Sequence, residues 1–179
     1  MALSMNIQAK PQVLVPQAEI ETTVRRLAGE ITKEYRDKNP ILLGILKGAF
    51  VFLADLARQL DFPLEIEFIR LASYGSGQQS SGRVKVAVGQ SLNVAGRHVL
   101  VVEDIIDTGT TLNFLLENLK KQKPASLKLC ALLDKSSRRK VEVPLDYLGK
   151  TVPDKFLVGY GLDYAEKYRN LPDICYLEE

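Results

Sequence analysis

Glu103 and Asp104 close the apolar run that begins at Val99, and after Ile105 and Ile106 the chain continues Asp107-Thr108-Gly109-Thr110-Thr111-Leu112. Carboxylates at the C-terminal end of a strand can hold a divalent cation or the hydroxyls of a sugar. A Thr/Gly loop that opens a helix offers hydroxyls and backbone N–H groups to a phosphate. The helix dipole favours the bound anion there by roughly 0.3–1 kcal/mol per charge at exposed sites. Gly109 permits close backbone approach. The two halves together describe a ribose-phosphate site. Each half also has a plain alternative. Acidic pairs are common at solvated strand ends, and adjacent strand residues point to opposite faces, so both reach one ligand only where the strand is ending. Asp107 or Thr108 serves equally as an ordinary N-cap.

The elements that must position these residues are legible around them. Ile20, Val24, Leu27, Ile31 and Tyr35 recur at helical spacing and stop at Asn39-Pro40. Ile41 to Leu46 is a continuous apolar run, read as a buried strand, and Phe50 to Leu60 is read as a largely buried helix. Glu65 to Ala72 is a second strand, and Ser73 to Arg83, rich in Gly, Ser and Gln, is a flexible loop. Val84 to Val88 alternates as a strand does. His98 to Val102 is the strand leading into the carboxylates. Leu112, Leu115, Leu116 and Leu119 give the next helix its apolar face, and Leu127 to Leu133 is another buried strand. Val141 to Asp154 is less regular, with short extended pieces near Phe156–Val158 and Ile174–Tyr176. Met1 to Pro16 reads as irregular and poorly anchored.

Strands alternating with helices argue for an α/β fold: an open, mainly parallel twisted sheet flanked by helices and joined by right-handed crossovers. Ligands of such sheets sit beyond the C-terminal strand ends. Lys47, Asp104 and Lys135 all lie there, so three segments converge on one crevice.

The 179 residues suit one domain, residues 1–179, and 46% hydrophobic content supports a sizeable core. The net charge of +2 excludes a strong global field for nucleic acid. No apolar stretch is long enough to span a bilayer, and Met1 to Pro16 holds no apolar signal core. Cys130 and Cys175 form neither a disulfide framework nor metal spacing. A soluble cytoplasmic protein is the expectation, with no membrane and no nucleic-acid partner.

The run from Val99 to Leu112 resembles the phosphoribosyl-diphosphate (PRPP) motif of the type I phosphoribosyltransferases, and Glu103-Asp-Ile-Ile-Asp-Thr-Gly109 resembles the hypoxanthine-guanine branch. The resemblance implies a parallel core sheet with a small hood built from terminal segments. It implies purine salvage, in which base and PRPP give a nucleoside 5′-monophosphate and diphosphate with Mg²⁺, usually in a homodimer or homotetramer. Asp107 to Thr111 would hold the 5′-phosphate, Glu103 and Asp104 the ribose hydroxyls or the metal, and Asp107 would act as general base toward purine N7. Leu46-Lys47-Gly48-Ala49 resembles the diphosphate loop, with Lys47 and Gly48 N–H groups on the diphosphate and a cis peptide before the lysine. Ser73-Tyr74-Gly75 resembles the start of a lid that excludes water. Lys135 would meet the exocyclic oxygen of a 6-oxopurine, Phe156 would stack on the ring, and the Leu157 backbone would read its edge. Asp163 would meet a metal, and Arg169 the diphosphate.

Outside the resemblance these residues have ordinary readings. Lys135 joins a surface cluster with Arg138, Arg139 and Lys140, and Phe156 is a core aromatic. Asp163 and Arg169 are solvated. A second functional reading is a regulatory PRPP or nucleotide sensor that binds nucleic acid through Ser136 to Lys140, with strongly salt-dependent binding. A third keeps catalysis and changes the base to xanthine, adenine or orotate. Lys135 and Phe156 argue for a 6-oxopurine.

Overall fold

The apolar spacing of Ile20, Val24, Leu27, Ile31 and Tyr35 folds as a helix, α1 (Gln17–Tyr35), in the computed structural model, which describes residues 10–71 and 92–178. The carbonyl of Pro16 accepts the N–H groups of Glu19 and Ile20 at its start. All five residues of the stripe are buried, and burying one such side chain contributes about 1.5–3 kcal/mol.

The continuous apolar runs become the centre of a parallel sheet. Strands β2 (Ile41–Leu46), β3 (Glu65–Arg70), β4 (His98–Ile106), β5 (Ser126–Asp134) and β6 (Tyr147–Thr151) lie in the order β3-β2-β4-β5-β6, each parallel to its neighbour. Helix α2 (Phe50–Arg58) connects β2 to β3, and α3 (Thr110–Lys121) connects β4 to β5. The two-residue period of the strands divides the core. Leu42, Leu100, Val102, Cys130 and Leu132 pack under α1 and α2, whereas Ile41, Leu43, Val99, Val101, Leu129 and Ala131 pack under α3. The helices therefore cover both faces, and the C-terminal strand ends stay open.

Three strands form the hood. β1 (Gln12–Val15), β8 (Ile174–Tyr176) and β7 (Leu157–Val158) make an antiparallel sheet in that order. The expectation of a poorly anchored N-terminal segment is wrong for Gln12–Val15, which pairs with β8, Gln12 opposite Tyr176. Its partner lies at the other end of the chain, so no local periodicity announces it. Val141 to Asp154, read as less regular, contains β6. This edge strand pairs on one side only and buries little beyond Tyr147, so it needs no apolar run. The loop at Ser73–Arg83, with Ser73 and Tyr74, and the strand expected at Val84–Val88 lie outside the described residues. No helix among the described residues is long and apolar enough to cross a membrane.

Candidate active site

Strand β4 does not end at Val102, as its apolar run suggests. It runs on to Ile106 and stays in register with β5 as far as Ile106 opposite Asp134. What ends there is pairing on the other edge, where β2 is last in register at Gly44 opposite Val102. Beyond that point the carboxylates take over the free backbone. Glu103 Oε1 accepts the N–H of Asp104 at 3.1 Å, and Asp104 Oδ1 accepts that of Ile105 at 2.7 Å. The two-residue alternation also breaks: Ile105 and Leu133, partners in register, both turn to the core under α1 and α2. The two adjacent carboxyl groups thus interact with each other although they sit inside a strand. Burial pushes Glu103 well above the usual carboxylate range, and the neighbouring Asp104 charge adds to it. Burial also raises Asp104, against hydrogen bonds and the Arg169 charge that pull it back.

The loop after β2 is pressed against this pair. The Leu46–Lys47 peptide is cis. A Cβ on Gly48 would collide with the Asp104 carboxylate, and a Cβ on Gly161, at φ +99°, would collide with the Gly48 carbonyl. Gly48 is therefore a spacing requirement as well as a turn. Gly48→Ala is expected to lower stability by about 1–3 kcal/mol, an overpacking cost. Gly29→Ala is the control. Gly29 lies exposed in α1 with no atom within 4 Å of an added Cβ, so the helix should gain about 0.5–1 kcal/mol. Thermal melts of the two variants should move in opposite directions.

Lys47 meets a residue that the sequence did not single out. Its Nζ lies 2.8 Å from Glu166 Oε2, and this contact holds the Glu166 carboxyl below its ordinary range. Arg169 Nη2 is 3.3 Å from the same oxygen and 2.7 Å from Asp163 Oδ1, while its Nη1 donates to the Gly161 carbonyl at 2.7 Å. Asp163 Oδ2 accepts the Glu166 N–H at 2.9 Å. Asp163 and Arg169 are not solvated tail residues, then, but one network with Lys47. Asp163, Glu166 and Arg169 recur every third residue, a spacing that reads as a helix face. The segment is a loop with positive φ at Ala165, Glu166 and Tyr168, so the signal would have misled.

The phosphate-binding candidates form one wall of a cavity of about 220 Å³. Asp107, Thr108, Gly109 and Thr111 line it together with Glu103 and Leu46, whereas Thr110 does not. The N-cap position of α3 is neither Asp107 nor Thr108 but Gly109, at φ +79°, which has no side chain to cap with; Thr108 Oγ1 accepts only the Thr110 N–H, at a long 3.5 Å. A Cβ there would meet the Val141 carbonyl, and the left-handed geometry suits glycine. The first-turn N–H groups after Thr110 meet no side-chain cap among the described residues and are left for a ligand.

The segment after β5 folds back over this loop: the Lys140 and Val141 N–H groups both donate to the Thr108 carbonyl, at 3.0 and 3.1 Å. Arg139 is buried against Asp134, and Arg138 Nε is 2.9 Å from Asp107 Oδ1. The Ser136–Lys140 run is thus no free basic patch, which removes the main support for a nucleic-acid reading. Lys135 is only 8% exposed, and no hydrogen bond or ion pair among the described residues reaches its side chain. Its N–H donates to the Ile106 carbonyl at 2.9 Å, beside Asp107. Leu157 is buried in β7, and Phe156 is 43% exposed, its ring perpendicular to that of Tyr164 at a 5.4 Å centroid separation. A partly exposed aromatic can serve as a stacking platform.

The Glu103–Asp104 pair has the chemistry of a hard-cation site, being two adjacent, mutually repelling carboxylates, Asp104 buried and Glu103 half-buried on the cavity wall. No group of three or more His, Cys, Asp or Glu side chains converges among the described residues. A divalent cation would therefore complete its shell from substrate oxygens and water, as Mg²⁺ does more readily than most ions. Both oxygens of Asp163 are engaged by Arg169 and the Glu166 N–H.

A parallel sheet with paired carboxylates and a Thr/Gly loop at one strand end, beside a small antiparallel hood, is the type I phosphoribosyltransferase fold. A family model described as the phosphoribosyl transferase domain matches residues 14–165, and the chain belongs to this family. It is 47% identical over 167 residues to the hypoxanthine-guanine phosphoribosyltransferase of Bacillus subtilis, covering 93% of each chain. It is 48% identical over 167 residues to the bifunctional protein TilS/HprT of Listeria monocytogenes; this covers 93% of the chain but 26% of that protein, so the chain spans about a quarter of its length. A crystal structure of a hypoxanthine-guanine phosphoribosyltransferase from Bacillus anthracis shares the fold with a TM-score of 0.87 at 42% identity, covering 96% of this chain and 100% of that one.

Proposed function

We propose that the chain transfers the 5-phosphoribosyl group of PRPP to N9 of hypoxanthine or guanine, giving IMP or GMP and diphosphate, as a cytoplasmic purine-salvage enzyme. The observation that carries this reading is the glycine-started α3 N-terminus, which opens into a cavity shared with Glu103. The first-turn N–H groups with Thr108 and Thr111 take the 5′-phosphate. Lys47, Gly48 and Arg169 take the diphosphate, and Glu103 and Asp104 take the ribose side. The purine lies on Phe156, with Lys135 donating to the exocyclic oxygen and the Leu157 backbone and Asp163 at the ring edge. Adenine carries a donor where Lys135 needs an acceptor.

In the reaction, purine N9 forms a bond to the anomeric carbon as the carbon–oxygen bond to diphosphate breaks, through an oxocarbenium-like transition state. Asp107 accepts the N7 proton. Mg²⁺ fits the carboxylate pair and, when bound, would offset charge on the diphosphate and orient the ribose hydroxyls.

Base selectivity of Lys135→Met tests the purine assignment. The variant keeps the length and loses the donor, and a hydrogen bond to a charged group is worth about 1.5–3 kcal/mol. The KM for hypoxanthine and guanine should therefore rise by about ten- to a hundredfold, with the KM for PRPP little changed. Unaltered kinetics with both bases would remove Lys135 from the site.

A further inference from the structure

Arg138 has no part in the reaction as proposed, yet it is the cation in contact with Asp107. The chain leaves β5 through a single 3-10 turn, Ser136–Arg138, in which the Arg138 N–H donates to the Lys135 carbonyl at 3.0 Å. The two N–H groups that follow on Thr108 fasten the turn to the phosphate loop. The backbone thereby sets where Arg138 can reach. Its Nε lies 2.9 Å from Asp107 Oδ1, and its Nη1 donates to Asp154 Oδ1 at 3.4 Å.

The state of Asp107 is informative. Its side chain is 45% exposed, yet Oδ1 is sealed from solvent, and the Arg138 guanidinium meets it as a close ion pair rather than an aligned hydrogen bond. One carboxylate oxygen is covered where Arg138 approaches. The open oxygen is then Oδ2, the one available to a substrate. Asp154 lies two residues before Phe156. Arg138 therefore spans the carboxylate beside the phosphate loop and the segment that carries the exposed aromatic ring.

We propose that Arg138 is a positioning residue: it pins Oδ1 of Asp107 so that Oδ2 faces the purine, and through Asp154 it ties that orientation to the segment bearing Phe156. The proposal rests on the reading of Asp107 as general base. An exposed ion pair contributes about 0–1 kcal/mol to stability, so the role of Arg138 is geometric. Its loss should appear in turnover rather than in folding. A misplacement of about 1 Å at a reacting group costs on the order of a hundredfold in rate.

The test is a double-mutant cycle on kcat, with KM for PRPP and hypoxanthine and the melting temperature measured alongside. Arg138→Ala should lower kcat by about ten- to a hundredfold. The KM for PRPP should change little, and so should the melting temperature. Arg138→Lys, which can pair with Asp107 but cannot fork to both carboxylates, should recover part of the loss. In the Asp107→Asn background the Arg138→Ala change should cost no further kcat, because residues acting through one group are not additive. Wild-type kcat in Arg138→Ala would overturn the proposal, as would a loss that multiplies with that of Asp107→Asn. Those outcomes leave the reading of Asp107 intact. Near-normal turnover in Asp107→Asn alone would instead remove the base and the proposal with it.

Discussion

Asp107→Asn is expected to lower kcat by about 10²–10⁴-fold, the usual contribution of a positioned general base, while the chain stays folded. The exchange is nearly isosteric, and the side chain is 45% exposed, so little packing is at stake. Its α3 N-terminus is capped at Gly109, so the helix does not depend on Asp107 as a cap. In the proposed site the phosphate is held by backbone and hydroxyl groups that the change leaves in place, so the KM for PRPP should be nearly unaltered. Rapid turnover in a variant with a normal melting temperature would take Asp107 out of the proton transfer.

The second large effect couples stability to activity. Asp104 is buried and Glu103 half-buried beside it, and each is held above its usual range chiefly by desolvation. The folded chain therefore binds more protons than the unfolded one above the ordinary carboxylate range. Without metal, stability should fall as pH rises through and beyond that range. The paired substitution Glu103→Gln with Asp104→Asn keeps the acceptor oxygens for the Asp104 and Ile105 N–H groups and removes both charges. With a chelator present at pH 8, the variant should melt higher than the parent. A gain of about 1 kcal/mol corresponds to roughly 2–4 °C for a domain of this size. Phosphoribosyl transfer should fall by 10²-fold or more, since metal-assisted charge stabilisation is worth several kcal/mol and about 1.4 kcal/mol is tenfold. A variant that is both less stable and fully active would contradict the functional account of the pair. The exchange of stability for activity is the pattern of a functional site.

Most of the fold was legible where one residue's surroundings decide its type. Strands β2, β4 and β5 are buried on both faces and read as unbroken apolar runs, and α1 and α3 carry a plain helical stripe. β1 was missed because its only partner is β8, and β6 because an edge strand has one neighbour and few buried positions. The site divides in the same way. Asp107 to Thr111 could be read locally, since a strand, a loop and a helix start follow one another in sequence. The identity of the cap could not, because Gly109 is selected by the Val141 carbonyl on a distant segment. Glu166 and Arg138 were missed for that reason as well: their chemistry consists of contacts to Lys47 and Asp107. Lys135 and Arg139 sit in a charged run that reads as solvated surface, and the backbone folding over Thr108 buries them.

The most direct measurement incubates the chain with PRPP, Mg²⁺ and, separately, hypoxanthine, guanine, xanthine and adenine, and follows nucleotide and diphosphate formation. The account predicts IMP from hypoxanthine, GMP from guanine and no AMP from adenine, each product matched by one diphosphate and abolished by chelator. Nucleotide from adenine alone, or no nucleotide from any base, would contradict it.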